Sequence, residues 1–251
     1  MDPLITVIAT GAAVAGFVQG LSGFAFSMLA MSVWAWTVEP HLAASSAVFG
    51  GMIGQLMAVT TIRGAFEKDL LLPLFAGALV GIPIGVVILP HLDSDLFKSV
   101  LGAILAICCP IVLFSGRLPQ IRAAGRTVNG LVGGVAGIMT GIGGFTGIFP
   151  TLWYTLRGFD KQRLRAMIQW FNLTTLTATM AVYVVSGITT TAMLPIFAII
   201  VPAMLIPWWL GSRLYLGITE AAYRRVVLGF LTFAGVGMLV SSLPTTIAHL
   251  Y

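Results

Sequence analysis

The sequence contains very few charged residues. Only 8% of its 251 residues are Asp, Glu, Lys or Arg, whereas a soluble domain carries about 25%. So few charges could not cover a globular surface in water, which excludes an ordinary soluble fold. Hydrophobic residues make up 58% of the chain, and the mean hydropathy is +1.02. The composition therefore predicts an all-α polytopic membrane protein, with the lipid bilayer as its solvent.

The groups that usually carry catalysis are also scarce. The eight acidic residues all fall in loops or at the ends of apolar segments, and there are three histidines. The sequence has no zinc-binding His/Glu helix motif, phosphate-binding loop or nucleophile elbow. We therefore predict that the protein is not an enzyme and uses no metal and no cofactor. An acidic proton relay within the membrane is not evident either.

Cysteine is nearly absent. The only two, Cys108 and Cys109, are adjacent within an apolar run. Neighbouring residues of a helix point to different faces and lack the spacing of metal ligands. We interpret the pair as thiols buried in the membrane domain rather than as a redox or metal site.

The excess of positive charge is a topology signal. The net charge is +5, and the basic residues lie between apolar segments, so nucleic acid is not an expected partner. Suppose that each glycine-rich segment described below enters and leaves on the same side of the membrane. Twelve of the thirteen Lys and Arg residues then lie on one side of the membrane, and Lys98 is the exception. The positive-inside rule makes that side cytoplasmic. We therefore expect a multi-pass protein of the cell (inner) membrane with both termini on the outer side, periplasmic or extracellular.

The apolar segments are of two kinds. Ordinary spans of about 20 residues are expected near 42–62, 70–90, 96–115, 166–186, 192–212 and 224–243. Two irregular segments, near 4–37 and 129–156, carry a repeated glycine motif in which residues 16–24 reappear as 137–145. In the second segment, the arms around Gly143-Gly144 have about 14 and 12 residues, too few to cross the hydrocarbon core. This predicts a re-entrant hairpin or a pair of half-helices.

Further matches extend the repeat along the chain. Residues 73–76 match 195–198 at an offset of 122, and Leu101-Gly102 matches Leu228-Gly229. Equivalent loops carry opposite charge bias, as expected when two halves insert in opposite directions. We therefore predict two inverted repeats, 1–115 and 129–251, each with one broken segment and about three spans. A basic cytoplasmic linker, 116–128, joins them.

Paired interruptions at matching positions are the best sequence pointer to a transporter's binding site. Half-helix N-termini expose backbone N–H groups and a partial positive charge, which suits a small anion. The alternative role for these glycines is close helix packing. The same choice applies to polar residues of the following spans, which could line a pathway or bond neighbouring helices. Arg165 could reach into the cavity, or its side chain could extend to the membrane surface. The predicted substrate-binding residues are Gln19, Gly20, Ser22, Gly23, Thr140, Gly141, Gly143, Gly144, Thr146, Gln169 and Asn172.

The duplicated Gly-x-x-x-Gly-x-x-Gly-Phe segments, Pro150 after the second, and the polar span that follows resemble the TauE/SafE family over essentially the whole chain. The first copy departs from the family pattern, because Leu29 stands where Pro150 stands in the second. The resemblance implies a permease that exports sulfite or an organosulfonate. Nothing in the composition shows sulfur specificity, and small carboxylates would fit the same neutral, donor-rich cavity.

Three mechanisms follow from the sequence. In an alternating-access carrier, the hairpins bind the anion and one repeat rocks against the other. In an anion channel, the same hairpins meet tip to tip. A membrane scaffold without transport is the third, and the lack of soluble domains argues against it. The sequence leaves open whether the protein forms a homo-oligomer.

Overall fold

The computed structural model of the chain describes residues 3–59, 67–114, 125–159, 161–214 and 220–248. These ranges contain helices and short 3₁₀ turns but no strand, so the predicted all-α fold is confirmed. The helices are α1 (Pro3–Ser22), α2 (Phe26–Trp34), α3 (Pro40–Val59), α4 (Lys68–Ile88), α5 (Ser94–Phe114), α6 (Arg126–Gly143), α7 (Ile148–Leu156), α8 (Lys161–Val185), α9 (Leu194–Leu214) and α10 (Glu220–Ala248).

Several of these helices have the dimensions of membrane spans. Five of the described helices, counting the adjoining 3₁₀ turns, are long and apolar enough to cross a bilayer, which confirms a multi-pass membrane protein. Large apolar side chains such as Val185 and Phe233 are strongly exposed, as lipid-facing positions require. The six ordinary spans expected from the sequence correspond to α3, α4, α5, α8, α9 and α10 within a few residues.

Each glycine-rich segment consists of one long helix and one short return helix. Trp34 Nε1 at the end of α2 donates to the Val7 carbonyl near the start of α1, at 3.3 Å. Trp153 Nε1 of α7 likewise donates to Asn129 Oδ1 of α6, at 2.8 Å. Both short helices therefore fold back along the preceding helix.

The predicted arm lengths are wrong. The two arms of the second segment have 18 and 9 residues, instead of about 14 and 12. The long arm begins at Arg126, inside the predicted linker, because helix α6 includes polar residues that the count of apolar residues left out. Eighteen helical residues rise about 27 Å, so this arm crosses most of the bilayer.

Glycines bring two pairs of helices into backbone contact. In the pair α1 and α9, a Cβ added to Gly16 would lie 2.7 Å from the Met204 carbonyl oxygen, and one added to Gly20 would overlap the Trp208 carbonyl. In the pair α4 and α6, Cβ atoms on Gly137 and Gly141 would overlap the carbonyls of Ala78 and Ile82. Residue numbers rise together in both pairs, so both pairs are parallel. Small residues allow this close approach where lipid supplies no hydrophobic drive.

Two other pairs run antiparallel. Ser99 Oγ of α5 bonds Ser242 Oγ of α10 at 2.9 Å, and three residues further along α5, Gly102 lies against Gly235, earlier in α10. Helix α3 also opposes α8, because Gly51 lies beside Leu176 while Ser45, nearer the start of α3, meets Thr189 beyond the end of α8. Every one of these four pairs joins a helix from residues 1–115 to one from residues 125–248. The inverted repeat itself remains a prediction.

Aromatic side chains fill the core around the two breaks. Phe26 and Trp34 are fully buried and meet edge to face at 6.3 Å between ring centroids. Phe75 of α4 stacks on Phe171 of α8 at 5.8 Å. These contacts place the breaks inside the protein, which is where irregular backbone is tolerated at membrane depth.

Candidate functional site

The two helix breaks are built on the same backbone conformation. Gly23 has φ +81° and Gly144 has φ +78°, a left-handed conformation that glycine adopts without steric cost. The Gly23 N–H donates to the Gln19 carbonyl at 2.7 Å, and the Gly144 N–H donates to the Thr140 carbonyl at 2.8 Å. Each glycine therefore ends a long helix and turns the chain toward the short one.

Side chains cap the first break. Ser22 Oγ accepts hydrogen bonds from the N–H groups of Phe24 and Ala25, each at 3.2 Å. Gln19 Oε1 accepts from the Phe26 N–H at 2.9 Å. Side-chain oxygens thus occupy the N–H of Phe26, which begins α2, and the two N–H groups before it, whereas the N–H groups of Ser27 and Met28 have no side-chain cap in the described part of the chain.

The second break has no such caps. Three residues, 145–147, connect Gly144 to α7, whereas only 24–25 connect Gly23 to α2. The N–H groups of Phe145 and Thr146 bond backbone carbonyls, and no side chain of the described chain caps α7. The third residue of α7 is Pro150, which has no N–H. Two donors, on Ile148 and Phe149, therefore begin α7 at the positive end of its dipole.

A polar face of α8 runs alongside both breaks. Arg165, Gln169, Asn172 and Thr179 are separated by four, three and seven residues, which places them on one side of the helix. Gln169, Asn172 and Thr179 are 2%, 0% and 0% exposed. Gln169 Nε2, both amide atoms of Asn172 and Thr179 Oγ1 have no hydrogen-bond partner among the described residues. Such atoms each cost roughly 1–3 kcal/mol, so each of them needs an explanation.

The polar face reaches both glycine breaks. A Cβ added to Gly23 would lie 2.7 Å from Gln169 Nε2 and 3.6 Å from a terminal nitrogen of the Arg165 guanidinium. A Cβ added to Gly147 would lie 3.5 Å from Asn172 Nδ2. The first break thus lies beside Arg165 and Gln169, and the second beside Asn172. We call this region, from Gly23 to Gly147 along α8, the polar site.

The predicted substrate-binding residues divide into four groups. Gly23, Gln169 and Asn172 lie at the polar site, and Gly143, Gly144 and Thr146 belong to the second break. Gln19 and Ser22 cap the first break. Gly20 and Gly141 lie in helix contacts with α9 and α4, and Thr140 Oγ1 bonds the Ala136 carbonyl of its own helix at 2.7 Å. A binding role for any of these residues remains a prediction.

Sequence reasoning missed two residues of this region. Gly147 was outside the repeated motif, because the second break is longer than the first. Thr179 looked like an ordinary threonine of an apolar span. Its spacing of seven from Asn172 was the available signal. Arg165, which the sequence left as a surface-reaching cation, is half-buried beside Gly23.

The ionised acids with resolved partners lie away from the breaks. Arg163 donates from Nε and Nη2 to the two carboxylate oxygens of Glu67, each at 2.5 Å. Arg126 Nη2 lies 3.8 Å from Asp69 Oδ1. Both pairs join the start of α4 to the start of α8 or α6. No group of three His, Cys, Asp or Glu residues in the described ranges could hold a metal ion.

A helical membrane domain with a buried polar face and two broken helices has the architecture of a transporter. The family model described as "Sulfite exporter TauE/SafE" matches residues 8–238. The chain therefore belongs to the TauE/SafE family, whose members are permeases rather than enzymes. Searches of curated proteins and of solved structures returned no match.

Proposed function

We propose that the protein is a secondary carrier that binds a small oxyanion, sulfite or an organosulfonate, at the polar site. The observation that carries this proposal is Asn172, a fully buried amide with neither polar atom bonded within the described chain. It lies beside Gly147, where α7 begins without a side-chain cap.

The polar site offers donors to an anion without a full counter-charge at its centre. The uncapped N–H groups of α7 carry a partial positive charge. Asn172 Nδ2 and Gln169 Nε2 are further donors, and Arg165 adds a positive charge near Gly23. An anion that accepts hydrogen bonds from these groups removes their desolvation cost, while the mostly neutral surroundings allow its release.

The helix pairs suggest how such a carrier moves. Rocking one predicted repeat against the other would have to separate α1 from α9 and α4 from α6, which touch through backbone atoms. We therefore expect α1 with α9, and α4 with α6, to move as units. The antiparallel pairs α3–α8 and α5–α10 support the inverted-repeat arrangement that alternating access uses.

The description of the matched family supports export, and the expected orientation agrees with it. Arg126, Arg157 and Arg163 begin or end helices at the membrane face where α4 starts. If the positive-inside rule holds, this face is cytoplasmic. Arg165 would then attract an anion from the cytoplasm, and the protein would export it into the periplasm across the inner membrane.

The test is counterflow of labelled sulfite in proteoliposomes with Asn172→Asp. A carboxylate at the polar site should reduce anion transport more than about tenfold, because like charges in contact cost several kcal/mol. Asn129→Asp is the matched control. Its carboxylate still accepts the bond from Trp153 Nε1, and Asn129 is outside the polar site.

Equal transport by the two Asp variants would overturn the proposed site. Saturable counterflow that unlabelled lactate spares would support a sulfur oxyanion carrier. Competition by lactate would instead indicate a carboxylate carrier, and flux that is linear in concentration without counterflow would indicate a channel.

A further inference from the structure

An apolar cavity lies next to the polar site, between four helices. One wall residue from each helix is Met28 of α2, Cys109 of α5, Ile148 of α7 and Leu231 of α10. These side chains are between 0% and 4% exposed. Most of the cavity wall is therefore buried within the protein. The buried position of Cys109 also agrees with its interpretation as a thiol inside the membrane domain.

The cavity and the polar site share a boundary. Gly147 and Phe24 belong to the cavity wall, and Gly147 is also the residue beside Asn172. Thr151 lies one helical turn after Gly147, and among the described wall residues it is the one with a hydroxyl group. Its Oγ1 has no hydrogen-bond partner among the described residues. A molecule held at the start of α7 would therefore have donors on one side and apolar walls on the other.

We infer that the cavity holds the carbon portion of the substrate, so that the carrier favours short organic sulfonates over sulfite. This inference rests on the proposed function. The anionic head would bind at α7 and Asn172, and the carbon chain would extend toward Cys109 and Leu231. Apolar walls gain nothing from a bare inorganic oxyanion, whereas they do stabilise methylene groups removed from water.

The size of the cavity sets the expected chain length. The cavity has a volume of about 40 Å³. One water-sized group needs about 10–15 Å³ of such space. The cavity thus admits roughly three such groups. Each methylene buried there should tighten binding about fourfold. Binding should therefore improve up to a chain of about three carbons and weaken for longer chains.

The experiment measures inhibition of labelled sulfite counterflow by methane-, ethane-, propane- and hexanesulfonate. The expected result is a rise in affinity to propanesulfonate followed by a fall. Cys109→Phe fills the cavity and should flatten this series, with each inhibition compared with the variant's own sulfite counterflow. Cys108→Phe is the matched control, because Cys108 is the next residue and is not in the cavity wall. It should keep the wild-type series.

A flat series in the wild-type protein, or equal effects of the two Phe variants, would overturn the inference. If Cys109→Phe does not fold, Cys109→Ala takes its place, since an enlarged cavity should move the optimum to a longer chain. An unchanged optimum would then overturn the inference. Absence of transport of all these anions would overturn the proposed function itself, whereas sulfite transport with a flat series would overturn only the cavity's role.

Discussion

The two glycine breaks have the same backbone conformation and different surroundings. At the first break, Ser22 and Gln19 accept the N–H groups that precede and begin α2. At the offset of 121, Gly143 and Thr140 stand at the corresponding positions of the second break. Glycine has no side chain to cap α7, and the Thr140 hydroxyl bonds its own helix instead.

This difference suggests that the two breaks have different tasks. At the first break, side chains hold the turn and occupy the first donor of α2, and in the described chain only Ser27 and Met28 follow without a side-chain cap. An uncapped helix start beside the buried amide of Asn172 is suited to an anion. A duplicated sequence motif therefore does not imply two equal binding sites. The following predictions test this contrast.

The largest effect is expected from Gly147→Asp, which would place a fixed negative charge at the start of α7. Gly147 has φ −85° and ψ −17°, a backbone that any residue adopts, and its added Cβ would lie 3.2 Å from Phe24, so the substitution needs only a small shift of that ring. Transport should fall more than about tenfold, because the new carboxylate repels the substrate. Thermal unfolding should stay unchanged or shift upward. Gly147→Ala, which adds no acceptor, is the control and should transport normally. Normal transport by the Asp variant would contradict the assignment of α7 as the anion-binding helix.

A smaller effect is expected from Arg165→Gln at the first break. Its guanidinium lies beside Gly23 and Gln169, where a charge interaction of about 1 kcal/mol would change the KM for the anion about fivefold. Arg163→Gln is the matched control on the same helix, because Arg163 bonds Glu67 and stacks on Phe159 instead. The KM for sulfite in proteoliposomes should rise for Arg165→Gln and stay near wild type for Arg163→Gln. The reverse order would show that the Arg165 charge does not act on the substrate.

Alanine at the two break glycines should distinguish their surroundings by stability. A left-handed conformation costs an alanine about 1–2 kcal/mol. At Gly144 the added Cβ also meets Ser27 at 2.9 Å, whereas at Gly23 it meets the movable end of Gln169. Gly187, with φ +76° and no atom near the added Cβ, supplies the control. Thermal unfolding in detergent should rank the loss as Gly144→Ala, then Gly23→Ala, then Gly187→Ala. Equal losses at all three would mean that backbone conformation alone matters.

The smallest effect is expected from Ser22→Ala. Loss of a capping serine should lower the free energy of unfolding by about 1 kcal/mol and leave the KM unchanged, because the first break is structural. Ser32→Ala in α2 removes only a bond to the Leu29 carbonyl of the same helix and should cost less. A change in KM with Ser22→Ala would place substrate at the first break as well.

The sequence was sufficient for the class of fold, the ordinary spans and the location of both breaks. Long apolar runs and glycine clusters are local signals, and Gly23 and Gly144 do adopt the conformation that favours glycine. The different roles of Gly20 and Gly23 could not be predicted. Gly20 is required by the backbone of α9, almost two hundred residues away in the chain, and no local pattern reports that contact.

The polar face was predictable only in part. Gln169 and Asn172 are conspicuous because amides are rare in apolar spans. Thr179 is one of several threonines in α8, and Thr175 looks identical in sequence but bonds the Phe171 carbonyl of its own helix. The lengths of α6 and α7 were also wrong, because α6 begins at the polar residue Arg126, before the apolar residues from which its length was predicted.

The pairing of α1 with α9 has a consequence for how the protein is made. The ribosome completes α1 first, yet the glycine face of α1 gains its partner backbone only when α9 follows. Similarly, α4 waits for α6. Early helices therefore enter the bilayer with small-residue faces that can join wrong neighbours. A chain that stops after residue 115 should be degraded or should aggregate, whereas residues 1–115 and 125–251 made as two separate chains should recover a native complex only when they are synthesised together.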